Sequence, residues 1–173
     1  MAITLAQLQL VTADHSKHNP SAFDCGHDDL NDFIKNDCPV QIQRKTSVTK
    51  LALNDGVIVG YITLLADSIT LHADELGDFA FKQVPALKIA RLGIERKYQG
   101  QRIGTALMKH ALGVAFRMND ELGVGCRFLT VDSDPKAIAF YSKLGFVMSL
   151  HRVYKDKDYP NMHYDIIQGP PIG

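Results

Sequence analysis

Arg91-Leu92-Gly93-Ile94-Glu95-Arg96-Lys97-Tyr98-Gln99-Gly100-Gln101-Arg102-Ile103-Gly104-Thr105 is the stretch on which the rest of the sequence turns. Its first four residues look like the end of an apolar strand. Gln99 to Thr105 is a glycine-bearing turn, and an amphipathic helix follows at once. A turn at a helix N-terminus aims backbone N–H groups outward, the helix dipole adds partial positive charge, and glycine lets the chain approach a bound group closely. The expectation is a cradle for the phosphates of a nucleotide-like ligand. Spacing excludes two other cradles: no Lys follows Gly104 as a Walker loop requires, and Gly100 with Gly104 does not make Gly-x-Gly-x-x-Gly.

A second stretch, Asp132-Ser133-Asp134-Pro135-Lys136-Ala137-Ile138-Ala139-Phe140-Tyr141-Ser142-Lys143-Leu144-Gly145-Phe146, carries helix punctuation at both ends. Asp134 suits an N-cap, Pro135 the first helical position and Gly145 the left-handed residue that closes a helix. The spacing predicts about three helical turns. Ala137, Phe140, Tyr141 and Leu144 then share one apolar face.

Together these stretches resemble the GNAT N-acetyltransferases. That family's pattern is Gln or Arg, two residues, Gly, one residue, then Gly or Ala after a strand, and Gln99, Ile103 and Gly104 sit in register with it. Arg102 stands where the middle glycine is usual, so a backbone conformation open to a residue with a Cβ is expected there. Asp134 stands where Asn is common. The likeness runs from Phe23 to Phe146. It implies an α/β (α+β mixed) acetyltransferase fold: a twisted mixed sheet with a splayed central strand pair and helices on both faces. It also implies acetyl coenzyme A as co-substrate. The backbone of Leu92, Gly93 and Ile94 would pair with the pantetheine arm, and the amides of Gln99, Gly100, Gln101, Arg102, Ile103, Gly104 and Thr105 would seat the pyrophosphate. Asp134 and Ala137 complete the implied cofactor-binding set. For Gly93, admission of the thioester and a merely weak strand position are both open; for Arg102, a phosphate contact and a solvent-facing side chain are.

The implied reaction is attack of a neutral primary amine on a thioester carbonyl through a tetrahedral oxyanion, with a thiolate leaving. It needs a route for the amine proton, donors aimed at the oxyanion and an acid near sulfur. By resemblance Tyr141 is the acid, and an N–H of Gly93 or Ile94 serves the oxyanion. Leu87-Lys88-Ile89-Ala90-Arg91 carries no carboxylate. Asp67, Asp132, Glu95 or water remain for the base.

Phe23-Asp24-Cys25-Gly26 and Leu30-Asn31-Asp32-Phe33-Ile34 are similar to two groups within the family. One holds stand-alone enzymes of unassigned substrate, a reading under which the expected acceptor is a small-molecule or peptide amine. The other holds toxins of toxin–antitoxin pairs that acetylate aminoacyl-tRNA and bind an antitoxin. Nineteen basic and nineteen acidic residues cancel, so the whole chain has no electrostatic reason to bind nucleic acid. Lys35, Arg44, Lys45, Lys50, Lys82, Lys88 and Arg91 form the candidate basic face, with acidic residues interleaved. That balance favours a stand-alone enzyme, with the toxin as alternative. A silent acyl coenzyme A sensor is a third reading, against which the Tyr141 phenol speaks. A homodimer is compatible with each.

The 173 residues suit one acetyltransferase domain, 1–173. Three scattered cysteines argue against a disulfide framework, and no His or Cys pair has metal-ligand spacing, so no metal is expected. With no leader-like start and no apolar run long enough for a membrane, a cytoplasmic protein is expected. Further elements read as a strand from Ile3 to Thr12, a helix from Asp28 ended or kinked by Pro39, and a hairpin of Val48–Leu53 with Val57–Leu65 about Asn54-Asp55-Gly56. A central strand is expected at Leu87–Ile94 and a long helix at Thr105–Leu122, with Met108, Ala111, Ala115, Met118 and Leu122 facing inward. Shorter strands are expected at Cys126–Val131, Val147–Leu150 and Met162–Ile167. Asp67 to Pro85 reads as irregular, Lys155-Asp156-Lys157-Asp158 as a solvated turn and Gly169-Pro170-Pro171 as a frayed tail.

Overall fold

The computed structural model describes residues 5–77, 79, 81–154, 157–169 and 172–173. Seven strands, β1 (Gln9–Thr12), β2 (Val48–Asn54), β3 (Val57–Thr70), β4 (Gln83–Ile94), β5 (Phe128–Asp132), β6 (Val147–Met148) and β7 (Asn161–Asp165), form one mixed sheet in the order β1-β2-β3-β4-β5-β7-β6. Among the described residues five α-helices accompany them: α1 (Asp28–Asp32), α2 (Cys38–Gln43), α3 (Ala73–Leu76), α4 (Ile103–Asp120) and α5 (Ile138–Lys143). The chain falls into two compact units. The first holds the described residues up to Leu65 with Ala90–Met108; the second holds Ala66–Ile89 with the described residues from Lys109 on.

In the first unit the hairpin forms where Asn54-Asp55-Gly56 places it. Asp55 (φ 50°) and Gly56 (φ 78°) both take the left-handed conformation that a two-residue turn matching the strand twist requires. Phe23, Phe33, Ile34, Cys38, Leu51, Leu53, Ile58 and Tyr61 make this unit's core. The helix expected from Asp28 is broken into α1, a wide π turn at Phe33–Asp37, and α2. Pro39 has no N–H to return to the preceding turn, and it is accommodated by becoming the start of a new helix. The strand expected from Ile3 is shorter: Leu5–Gln7 is a 3-10 turn and β1 starts at Gln9, while Ile3 lies outside the described residues.

In the second unit β4 and β5 run parallel from Ala86↔Phe128 to Ile89↔Val131, and β5 pairs antiparallel with β7 from Phe128↔Asp165 to Asp132↔Asn161. Ile69, Leu71, Val84, Ala86 and Phe128 form a core cluster joined by Leu76, Phe79 and Tyr154. The irregular stretch expected from Asp67 is a strand as far as Thr70. Its polar residues alternate with buried Ile69, which conceals it from a search for apolar runs. Helix α4 starts two residues earlier than expected and ends at Asp120, so Leu122 lies beyond it and is exposed. Ile103, Leu107, Met108, Ala111 and Ala115 are its buried positions. From the last turn of the helix, Asn119 clamps the chain that follows, accepting from Cys126 N–H (2.9 Å) and donating to Cys126 C=O (2.8 Å). Of the two polar segments near the end, residues 155, 156, 170 and 171 lie outside the described residues. Among the described residues no helix is long and apolar enough to cross a membrane, and no group of three or more His, Cys, Asp or Glu could hold a metal ion.

Candidate functional site

The turn after β4 is held by side-chain hydrogen bonds. Glu95 N–H donates to Val59 C=O (3.0 Å), and the Glu95 carboxylate accepts from Asp24 N–H (2.9 Å). Gln99 donates from its amide to both Cys25 C=O (2.9 Å) and Ile94 C=O (3.1 Å). The Gln99 side chain is thus a clip between the turn and the loop that precedes α1. Asp24 secures that loop by accepting from Gly26 N–H (2.8 Å) and from the Asn31 amide (2.9 Å).

Gly100 (φ 78°) and Arg102 (φ 62°) are left-handed, whereas Gln101 between them is not. This alternation turns successive N–H groups toward one concavity, the backbone nest that suits an anion. The first helical bond of α4 runs from Ala106 N–H to Arg102 C=O (3.0 Å), so the N–H groups of Ile103, Gly104 and Thr105 have no partner within the helix. Arg102 therefore departs from expectation. It adopts the conformation of the glycine it replaces, at a cost of about 1–2 kcal/mol, because the turn geometry demands it. Its side chain is exposed, and among the described residues no acid pairs with it.

Leu92, Gly93 and Ile94 close β4, and Gly93 is buried. A Cβ there would lie 2.6 Å from Cε1 of Tyr61, so the glycine makes room for that ring. Tyr61 is fixed in turn by donating to Leu30 C=O (2.8 Å) and by packing on Phe23 and Phe33. Neither of the two sequence readings of Gly93 included this contact.

Asp134 accepts from Lys136 N–H (2.8 Å) as a cap, and Pro135–Ala137 is a 3-10 turn that leads into α5. The expected three-turn helix is thus a 3-10 turn plus six α-helical residues. Gly145 (φ 92°) ends it, with Phe146 N–H donating back to Tyr141 C=O (3.1 Å). The Tyr141 ring is buried between Phe140 and Phe146, at centroid distances of 5.1 and 5.5 Å. Among the described residues nothing hydrogen-bonds its hydroxyl, and burial alone pushes the phenol's pKa up. Such a phenol keeps its proton through neutral pH. It can donate a hydrogen bond to developing negative charge, and it cannot act as a base.

The three candidate carboxylates are each occupied. Glu95 holds the Asp24 backbone. Asp67 accepts from Thr130 Oγ1 (2.7 Å). Asp132 lies in a polar chain that the sequence does not announce: Oδ2 accepts from Lys88 Nζ (2.6 Å) and Oδ1 from the Asn161 amide (2.9 Å). Beyond it, Ser149 Oγ donates to Asn161 Oδ1 (2.6 Å) and meets His163 Nδ1 (3.0 Å). Burial works to raise the Asp132 pKa, but Asn161 and Lys88 outweigh it and hold the carboxyl below its ordinary range. Only strand pairing could have revealed this chain, since its members come from β4, β5, β7 and the segment after β6.

The model of the acetyltransferase (GNAT) family matches residues 10–146. The chain belongs to that family. Its pattern spans both the nest and the Tyr141 helix. This acetyltransferase is 28% identical over 145 residues to a tRNA-acetylating toxin of Mycobacterium tuberculosis, which covers 80% of this chain and 86% of the relative. Its fold is similar to that of a tyrosine-to-phenylalanine mutant of KacT (TM-score 0.79, 24% identity, 93% of this chain and 96% of the other). It is also similar to AtaT complexed with acetyl-methionyl-tRNAfMet (TM-score 0.78, 23% identity, 91% and 94%).

Proposed function

We propose that this acetyltransferase moves the acetyl group of acetyl coenzyme A onto the amino group of an aminoacyl-tRNA in the cytoplasm, as the toxin of a toxin–antitoxin pair. The observation that carries this reading is the tRNA-acetylating relative, whose likeness runs through four fifths of the chain. It outweighs the neutral charge balance, because phosphate contacts depend on where cations lie and not on their sum. Arg44 and Lys45 are exposed at the end of α2, whereas Lys88 is committed to Asp132. Among the fold's relatives are AtaTR bound with acetyl coenzyme A and a KacTA–DNA complex.

The residues present suit the co-substrate. The N–H groups from Gly100 to Thr105 would seat its diphosphate, with the left-handed pair Gly100 and Arg102 shaping the seat. The end of β4 at Leu92, Gly93 and Ile94 would pair with the amide-bearing arm, as an extended ligand adds to a strand. Asp134 and Ala137 complete the binding set. Tyr141 would donate its hydroxyl hydrogen to the departing sulfur, a role suited to a phenol that holds its proton. The test is a panel of small amines, peptides and a pool of aminoacyl-tRNA, with thiol release as readout. Acetylation of aminoacyl-tRNA at least about tenfold faster than of any small amine or peptide is expected; the opposite order would restore the stand-alone reading.

A further inference from the structure

We propose that Asp132 is the docking point for the acceptor's amino group, and that Lys88 and Asn161 are the positioning residues that hold it ready. This rests on the acetyltransferase reading and names the acceptor side of that same reaction.

The argument begins with register. Residues two apart on a strand share a face, so Lys88, Thr130 and Asp132 point the same way, and β7 adds Asn161 opposite Asp132 and His163 opposite Thr130. Asp132 is the last residue of β5, one step past the final β4–β5 pair. The carboxyl ends of parallel strands are where open α/β sheets receive ligands. Here that end carries a partly exposed anion, its side chain 34% accessible.

The bonding inventory leaves room for a ligand. An ionised carboxylate offers about four acceptor sites. Lys88 fills one on Oδ2 and Asn161 one on Oδ1, so about two remain, open to solvent and matched to the N–H donors of an ammonium or amine. The orientation is set from behind. Because Asp132 only accepts, Asn161 must turn its NH2 toward it and its oxygen toward Ser149. The Ser149 hydroxyl hydrogen then goes to Asn161, and His163 must donate from Nδ1. Four side chains beyond Asp132 are thereby locked to hold one carboxylate. A partly buried ion pair is a poor way to gain stability, so the arrangement calls for another use.

The chemistry follows from the charges. An α-amino group has an ordinary pKa of about 7.7–8.0, so near neutral pH it loses one proton to water with little help. The neutral amine adds its lone pair to the carbonyl carbon while an N–H bonds Asp132; the proton that the nitrogen then sheds passes to water, which restores the one that Tyr141 gives to the departing sulfur. Held anionic, Asp132 is too weak a base to need the proton itself. The Asp132 anion by itself favours the ammonium form, and Lys88, with Lys157 farther off, offsets part of that pull, so the bound amine still loses its proton near neutral pH.

The experiment is titration calorimetry of the full chain, saturated with coenzyme A, against methionine methyl ester and glycine methyl ester, followed by steady-state rates with a pool of aminoacyl-tRNA. Asp132→Asn is expected to raise the ester Kd, and the acceptor KM, about tenfold or more, with coenzyme A affinity unchanged and a lowered Tm, since Lys88 and Asn161 lose their common partner. Should that variant fail to fold, Lys88→Met tests the same site: the acceptor-side midpoint of the pH–rate profile moves upward, because the Asp132 anion beside the amine is then left without its compensating cation. Unchanged ester binding in folded Asp132→Asn, an unmoved midpoint in Lys88→Met, or no ester binding by the unsubstituted protein would overturn the proposal. Ester binding that depends on Asp132 in a protein inert toward aminoacyl-tRNA would support it and refute the tRNA reading instead.

Discussion

The Gln99–Thr105 turn and the Lys88–Asp132–Asn161 chain are both polar places on apolar strands, built from opposite materials. In the turn, side chains do the holding and the backbone is offered: Gln99 bonds two carbonyls, while the N–H groups of Ile103, Gly104 and Thr105 have no partner within the helix. In the polar chain the backbone is spent on ladder bonds between β4, β5 and β7, and the side chains are offered. A backbone site is written in glycine positions and a helix start, which are local. A side-chain site depends on strand register, which is not. The comparison also predicts different sensitivities: substitutions at the turn should act through shape, and substitutions near α5 and β5 through the loss of single atoms.

The largest expected effect belongs to a single atom. Tyr141→Phe removes one oxygen that has no protein partner among the described residues. The single-turnover rate with acetyl coenzyme A should fall about 10²- to 10⁴-fold, the usual scale of general acid catalysis. Stability should stay nearly level, because the hydroxyl gives up no protein hydrogen bond among the described residues and the ring keeps its packing on Phe140 and Phe146. A near-normal rate would show that the phenol is only a packed ring.

Next in size is the turn itself. Acetyl coenzyme A at a hundredfold excess over its Kd should stabilise the protein by about 2.7 kcal/mol, seen as a raised Tm. Gly104→Glu should erase that shift by placing an anion where the diphosphate would sit, while the Tm without ligand changes little. A full shift in the folded variant would move the cradle elsewhere. Gly93→Ala comes third. Its new Cβ would lie 2.6 Å from the Tyr61 ring, and Tyr61 is pinned by Leu30, Phe23 and Phe33. Overpacking of this kind costs about 1–3 kcal/mol, measurable as a lowered urea midpoint. Wild-type stability would mean that the ring moves aside, and the glycine would then have to be explained by the ligand.

What was legible in the sequence follows the same division. Asn54-Asp55-Gly56, the Gln99–Gly104 pattern, the Asp134 cap and Gly145 are each local, and each element lies where these residues put it. Boundaries set by tertiary pairing were not legible: β3 runs past Leu65 to Thr70, and α1 and α2 are divided by a π turn ahead of Pro39. Asp132 could be listed as a candidate base from its type alone. Its bond to Lys88, 44 residues away, gives it a different standing as an anion held in place. Gly93 could be read only as small, since Tyr61 lies far off in sequence and faces it through strand pairing.

Arg102 is the smallest test and the one that joins both halves of the comparison, being a left-handed residue with a charged side chain in a backbone site. If the turn's shape alone matters, Arg102→Gly relieves the φ 62° strain. The gain is at most about 1–2 kcal/mol, less what glycine adds to the entropy of the unfolded chain. A small rise in Tm is expected, and acetyl coenzyme A should bind as before at low salt. If the guanidinium also meets phosphate, the same variant should bind acetyl coenzyme A more weakly despite its greater stability. That loss should shrink as salt rises, because exposed charge pairs are screened. The exposure of Arg102 and the want of any acid beside it among the described residues favour the second outcome. A variant more stable than the parent yet weaker for the co-substrate would show that strain is retained at this position for the charge that the residue carries.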